Sequence, residues 1–309
     1  MHRPFVTILA MVGIACAHAP EPAEAAALKQ ASLESGGRTR TFNYVVPAGK
    51  EGQRLPLVIG LHGRLGDGKG QDKLGGMSAV AEKEGFVLAL PDGYSRSWHD
   101  ARDKGPAAEA GIDDVAFLSA LIDWFIAHKN VDASRVYVMG MSNGGFMTLT
   151  LACALADKVA AVASVTGTVS ENLKPKCAPS RAMGVALFLG DADPLVPYEG
   201  GEVANGRNGR AISAADSAAL FAQLNGCQGE AEKSTLADVD PADGTRIELQ
   251  VWNQCRPGGE VRLYSVRGGG HTWPGGWGYL SESFIGATSR DLSATAEAWS
   301  FFQRFSRSP

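Results

Sequence analysis

The chain has 309 residues, 45% hydrophobic and 20% charged, a globular composition with enough apolar material for one large core or two small ones. Its formal net charge of −4 gives no basic patch of the kind nucleic acid or an anionic membrane surface would need, so neither is indicated as a partner. Thirty-eight glycines place much of the chain in turns and loops.

The first residues read as an export signal. Arg3 gives a positive start, residues 5–17 form a short apolar run, and Ala23-Glu24-Ala25 offers small side chains for cleavage. Residues 1–25 are therefore expected to be a signal peptide, and residues 26–309 one exported domain, secreted to an extracellular or periplasmic space. A lipoprotein signal is the competing reading, because Cys16 follows a small residue, but Gly13 stands where that signal usually carries leucine. The apolar run falls short of the ~20 residues of a spanning helix and no later stretch approaches that length, so no stable membrane insertion is expected.

Along the remaining chain β-like and helical runs alternate, which predicts an α/β fold: a mostly parallel central sheet with helices on both faces. Residues 39–46 alternate like an early edge strand, and 57–61 form an apolar strand ending at His62-Gly63. A short helix over 77–84 is followed by a strand over 87–90 that ends at Pro91-Asp92-Gly93. Residues 113–128 keep apolar side chains at helical spacing, with Asp113 and Asp114 suited to the first turn. A strand over 136–139 runs into Gly140-Met141-Ser142-Asn143-Gly144-Gly145 and then a helix over 146–156. Two buried strands, 159–165 and 185–189, precede a helix over 214–224, a last strand over 261–266 and a closing helix over 292–305. The segment 228–259, rich in Asp, Gly and charge, reads as an irregular surface excursion. No Ser/Thr/Pro-rich linker marks an appended polymer-binding module.

With Cys16 removed with the signal, Cys153, Cys177, Cys227 and Cys255 remain, an even number for an oxidising compartment. Disulfides are the expectation. Four cysteines allow three pairings; sequence proximity favours Cys153 with Cys177 and Cys227 with Cys255, the second stapling the 228–259 excursion at its base. No two cysteines have zinc-knuckle spacing and the histidines lie far from them, so no metal site is expected.

The chemistry-bearing motif is Gly140-Met141-Ser142-Asn143-Gly144, a G-x-S-x-G between a predicted strand and a predicted helix. A nucleophilic serine has to sit on a sharp, strained turn that exposes its hydroxyl, and flanking glycines relieve the resulting clashes. The following helix points its amino end at the site, where the backbone N–H of Asn143 can donate to an oxyanion. A serine hydroxyl also needs a base, and a base needs an orienting acid. Of the six histidines, His2 and His18 leave with the signal, His62 and His99 come too early, and His128 ends a helix. His271 follows the last strand through Arg267-Gly268-Gly269-Gly270 and comes after the serine, as the Ser, Asp, His order of this fold requires. The loop after strand 185–189 offers two acids, Asp191 and Asp193, and spacing alone does not choose between them. A second oxyanion donor is expected from the loop after the early strand, at the Arg64 backbone N–H, with His62 shaping that loop.

These residues, in order, resemble the secreted esterases that include feruloyl esterases, acetylxylan esterases and LpqC-like polyhydroxybutyrate depolymerases. The resemblance rests on Leu61-His62-Gly63, Pro91-Asp92-Gly93 with Trp98, Asp113-Asp114-Val115-Ala116-Phe117, Gly140 to Gly145, Gly190 to Tyr198 and Gly269 to Gly275. It implies that the acid is Asp193, the aspartate of a G-x-x-D-x-x-V-P-Y pattern, and it supports disulfides near Cys227 and Cys255. The chain departs from the family in two places: Leu189 stands where a histidine is common, and Arg64-Leu65 replaces smaller residues, a change expected to narrow the acyl pocket or bring positive charge to its mouth.

The resemblance implies acyl transfer in two steps, Ser142 attacking an ester with His271 taking its proton, on a small-molecule or polymer ester and with no cofactor. Trp98, Trp273 and Trp277 are candidates to line a groove for an aromatic acyl group or a sugar, or else core residues. The alternatives to a plant-wall esterase are a depolymerase of short hydroxyalkanoates, a serine peptidase or acyltransferase, and a non-catalytic binding protein on the same scaffold.

Overall fold

The computed structural model describes residues 27–307; the expected signal peptide, residues 1–25, lies outside them. Among the described residues no helix is long and apolar enough to cross a membrane. Strands β1 (Lys29–Ser35), β2 (Arg38–Val45), β3 (Leu55–Leu61), β4 (Val87–Pro91), β5 (Val131–Met141), β6 (Ala161–Val165) and β7 (Gly184–Gly190) make up the first part of the chain. A two-strand ribbon, β8 (Gly201–Glu202) and β9 (Arg210–Ala211), comes next, then β10 (Glu232–Thr235), β11 (Arg246–Trp252) and β12 (Glu260–Arg267). Ten of these strands share one sheet in the order β1-β2-β4-β3-β5-β6-β7-β12-β11-β10. The six from β4 to β12 are mutually parallel, and the outer pairs on both sides are antiparallel.

The parallel strands are near-continuous apolar runs because both faces are covered. Helices α1 (Gly68–Gly75), α2 (Met77–Glu84), α3 (Pro106–Glu109), α4 (Asp114–Lys129), α5 (Asn143–Ala154), α6 (Ala214–Leu224), α7 (Glu282–Ile285) and α8 (Ala294–Phe302) supply the covers. On one face Leu57, Ile59, Val136 and Val138 pack against Phe117, Leu121 and Phe125 of α4, Met147 and Leu151 of α5, and Phe221 of α6. On the other, Val58, Tyr137 and Met139 pack against Met77 and Ala81 of α2 and Trp299 and Phe302 of α8. The period-two alternation along β3 and β5 thus divides the core into two layers. Asp113 caps α4, its side chain accepting from the Ala116 N–H at 2.8 Å.

The segment 228–259 is not an irregular excursion. It contains β10 and β11, and β11 pairs with β12 from Arg246 opposite Arg267 to Trp252 opposite Val261. Ile247, Leu249 and Val251 alternate with polar residues as a strand with one covered face demands, a pattern outweighed in composition by the charged loop before it. The disulfides join Cys153 to Cys177 and Cys227 to Cys255.

Candidate active site

Ser142 lies between the C-terminal end of β5 and the first residue of α5, in the middle of the parallel strands. Its backbone takes φ 55° and ψ −118°, a conformation an L-residue adopts only where its surroundings impose it. Those surroundings are close. A Cβ on Gly140 would stand 2.5 Å from the Gly144 carbonyl oxygen, and one on Gly144 would stand 2.3 Å from the Leu61 carbonyl oxygen. Glycine at both positions lets β5 turn straight into α5 against the end of β3. The Ser142 N–H donates to the Val165 carbonyl at 2.8 Å and its carbonyl accepts from Phe146 at 2.8 Å, which ties the turn to β6 and to the helix.

His271 is brought to the same cavity by the loop after β12. Its backbone N–H donates to the Ile285 carbonyl at 2.5 Å, and its carbonyl accepts from the Tyr279 hydroxyl at 2.9 Å. Burial, and then the Asp193 carboxylate, push the Tyr279 phenol above its ordinary range, so it remains a donor. The His271 Nδ1 lies 2.7 Å from Asp193 Oδ2, and both side chains are buried. Asp193 Oδ1 accepts from the Leu195 and Val196 N–H groups at 2.7 and 2.9 Å, which fixes the carboxylate. Asp191 is occupied elsewhere: Oδ1 accepts from Gly268 N–H at 2.7 Å and Oδ2 pairs with Arg267 at 3.3 Å. The structure therefore separates the two acids, placing Asp193 on the imidazole and Asp191 on the loop that leads to it.

Two backbone N–H groups of the cavity lining have no acceptor among the described residues. The Asn143 N–H opens α5, where the first turn has no intrahelical partners. The Arg64 N–H follows β3 in a loop that lies against the serine, since a Cβ on Gly63 would stand 3.5 Å from Ser142 Cβ. Leu65 takes φ 66° and donates its own N–H to the Arg96 carbonyl at 2.8 Å, turning the loop. His62 shapes it. Its Nδ1 lies 2.7 Å from the Gly63 carbonyl and its Nε2 accepts from the Gly93 N–H at 2.9 Å, while burial lowers its pKa and keeps the ring neutral.

A cavity of about 510 Å³ is lined by Ser142, His271, Arg64, Asn143 and Trp277, with Leu65 and Leu280 also in its wall. Of the three tryptophans proposed for a groove, Trp277 is half exposed and lines it. Trp98 and Trp273 do not. Both are fully buried, with indole N–H groups bonded to the His62 carbonyl at 2.9 Å and to Thr295 Oγ1 at 3.1 Å. Each ring fills the core and each polar edge is satisfied inside the protein, so neither is free to meet a ligand. The sequence reading did not single out Arg102, Asn208 or Tyr279, which also line the cavity. The one sequence signal for Arg102 is Asp100 two residues before it, which pairs with it and accepts from Asn143 Nδ2 at 2.6 Å. Among the described residues no group of three or more His, Cys, Asp or Glu is placed to hold a metal ion.

This fold and the residues of its cavity define a serine carboxylesterase on the α/β-hydrolase scaffold. The sequence profile of the prolyl oligopeptidase family matches residues 76–175, from α2 past the serine turn. The esterase NocK of Nocardia uniformis subsp. tsuyamanensis is 32% identical over 280 residues, 86% of this chain and 79% of that protein. Feruloyl esterase B of Piromyces equi is 29% identical over 230 residues, 73% of this chain, which spans 41% of the length of that protein. The chain belongs to the feruloyl esterase-like family of α/β-hydrolase esterases that these relatives represent. Among solved structures, the acetyl xylan esterase from Aspergillus awamori superposes with a TM-score of 0.62 at 14% identity, covering 90% of this chain and 99% of that one. At that identity the likeness is one of fold alone.

Proposed function

We propose that the protein is a secreted esterase that removes feruloyl or acetyl groups from plant cell-wall polysaccharide such as xylan, through an acyl-enzyme on Ser142. The observation that carries this reading is the cavity shared by Ser142 and His271, with the far ring nitrogen of His271 held 2.7 Å from buried Asp193. Because Nδ1 donates to Asp193, Nε2 is the free acceptor that takes the serine proton.

In the first step Ser142 Oγ attacks the ester carbonyl, its proton passes to His271 Nε2, and the oxyanion accepts from the Arg64 and Asn143 backbone N–H groups. Collapse breaks the C–O bond and the same proton leaves with the alcohol. Water then repeats the sequence on the acyl-enzyme, returning Ser142 and releasing the acid. Asp193 orients the imidazole and stabilises its transient charge.

The substrate class is supported by relatives described as feruloyl esterases and by a bifunctional acetylxylan esterase/xylanase from Neocallimastix patriciarum, 26% identical over 220 residues. The half-exposed Trp277 and the exposed Leu65 and Leu280 give the mouth an apolar face for an aromatic acyl group. Export of residues 26–309 as one catalytic domain is supported by the two disulfides, which persist in an oxidising compartment.

Hydrolysis of methyl ferulate, acetylated xylan, a 3-hydroxybutyrate oligomer and a p-nitrophenyl acyl series, with Ser142→Ala alongside, tests the reading. Faster turnover of the feruloyl ester than of a simple acetate, lost in Ser142→Ala, is the expected result. Preference for the hydroxybutyrate oligomer would move the protein to the depolymerases, and absence of ester hydrolysis would overturn the reading.

A further inference from the structure

Among the described residues the cavity beside Ser142 is lined by two arginines, Arg64 and Arg102, and by no aspartate or glutamate, in a chain whose net charge is −4. Backbone N–H groups serve the oxyanion, so ester hydrolysis as proposed above leaves both guanidiniums without a task.

Arg102 is buried, its side chain 6% exposed, and a guanidinium in that position has to be paired. Its Nε lies 3.1 and 3.0 Å from the two Asp100 oxygens, its Nη2 also donates to Asp100, and its Cζ stands 3.9 Å over the Phe146 ring. These contacts occupy Nε and Nη2. Nη1 has no acceptor among the described residues, and Arg102 is in the cavity wall.

Arg64 is exposed at the same wall. Its Nη1 donates to Asn208 Oδ1, and Nε and Nη2 have no acceptor among the described residues. The neighbouring Gly209 abuts Arg102, since a Cβ there would stand 3.1 Å from Arg102 Cβ. The turn at residues 208–209 therefore touches both arginines, Arg64 at its guanidinium and Arg102 at its Cβ. Among the described residues only Asp100 pairs with either of them, which leaves one positive charge in the wall and donors from two planar forks unused.

We propose that Arg64 and Arg102 form a carboxylate-binding subsite, so that an ester carrying a free carboxylate is hydrolysed faster than its matched neutral counterpart. A guanidinium fork matches a carboxylate, and the bond is strengthened by charge and by exclusion of water. The subsite rests on the proposed ester hydrolysis at Ser142, because it acts on the same substrate. The carboxylate has two possible positions: on the acyl part, as in the half-ester of a dicarboxylic acid, or on the alcohol part, as in an acylated hydroxy acid.

Two matched pairs of esters test it on the intact protein: monomethyl adipate against methyl hexanoate, and the 3-hydroxybutyrate dimer against its methyl ester. In at least one pair kcat/KM is expected to favour the carboxylate member by about 10-fold or more, the scale of one charge-assisted hydrogen bond. The pair that shows the preference tells which part of the ester enters the subsite. In Arg64→Gln that ratio should fall towards one, and raising the salt concentration should lower it in the wild-type protein. A ratio of one or less in both pairs, with the neutral esters still hydrolysed, would overturn the subsite and leave the esterase reading standing. A ratio that survives in Arg64→Gln and in high salt would likewise overturn it. Hydrolysis of neither member of either pair would overturn the esterase reading and the subsite with it.

Discussion

The Asn143 side chain clasps the Trp98 backbone from both sides: its Oδ1 accepts from the Trp98 N–H at 2.8 Å and its Nδ2 donates to the Trp98 carbonyl at 3.0 Å. Trp98 in turn donates its indole N–H to the His62 carbonyl at 2.9 Å, and the His62 ring reaches the Gly63 carbonyl at 2.7 Å. An unbroken chain of hydrogen bonds therefore runs from the residue after the serine to the residue before Arg64. It sets the separation of the two backbone donors, Asn143 N–H and Arg64 N–H, to which the mechanism assigns the oxyanion.

Breaking that chain at its start should cost stability and rate together. Asn143→Ala leaves the Trp98 N–H and carbonyl without partners in the core, and each such group costs about 1–3 kcal/mol. Urea denaturation is expected to show a loss of at least about 2 kcal/mol, on that same scale. At temperatures where the variant is folded, kcat should fall more than KM rises, because the displaced donor acts on the transition state. An unchanged midpoint would mean the clasp is dispensable.

The two loop carboxylates should behave differently. Asp193→Asn removes the charge beside His271 Nδ1 and favours the wrong imidazole tautomer, which in such triads lowers kcat by about 10²- to 10⁴-fold. Asp191→Asn weakens the bonds to Gly268 and Arg267 and leaves the His271 contact in place, so its effect should stay below about 10-fold. Steady-state kinetics on one activated ester suffices, and comparable losses in the two variants would reverse the assignment.

Acid should destabilise the protein through His62. Burial holds the pKa of this histidine below its unfolded value of 6.5. The unfolded chain then binds the proton more readily than the folded one, so the stabilisation is present above pH 6.5 and is lost as pH falls below it. His99, whose pKa is raised, acts on the other side of that value: its stabilisation is present below pH 6.5 and is lost as pH rises above it. Denaturation midpoints of wild type and His62→Gln between pH 5 and 7.5 separate the two. The wild-type curve should fall more steeply on the acid side, and parallel curves would remove His62 as the cause.

The parallel core was legible because each of its strands is an apolar run bounded by turn residues, and the serine turn was legible because G-x-S-x-G sits between a strand and a helix. Elements held by tertiary contacts were not. Helix α1 reads Gly-Lys-Gly-Gln-Asp-Lys-Leu-Gly, a poor helix former. It forms because Asp67 caps it and because Leu74 is buried against the sheet. Strand β1 is exposed along most of its length and has no apolar face strong enough to mark it. Trp98 and Trp273 show a different limit: a tryptophan beside a catalytic motif has the same sequence signature whether its ring meets the ligand or supports the loop. Arg102 escaped notice because its meaning depends on Asp100, Phe146 and Gly209 converging on it, and only Asp100 is near in sequence.

The central claim, that Ser142 is the nucleophile, is tested most directly by treating the protein with a fluorophosphonate and mapping the adduct by mass spectrometry. One equivalent is expected on the peptide containing Ser142, with esterase activity lost in proportion, and no adduct in Ser142→Ala. Esterase activity that survives full modification of Ser142, or that persists in Ser142→Ala, would contradict it.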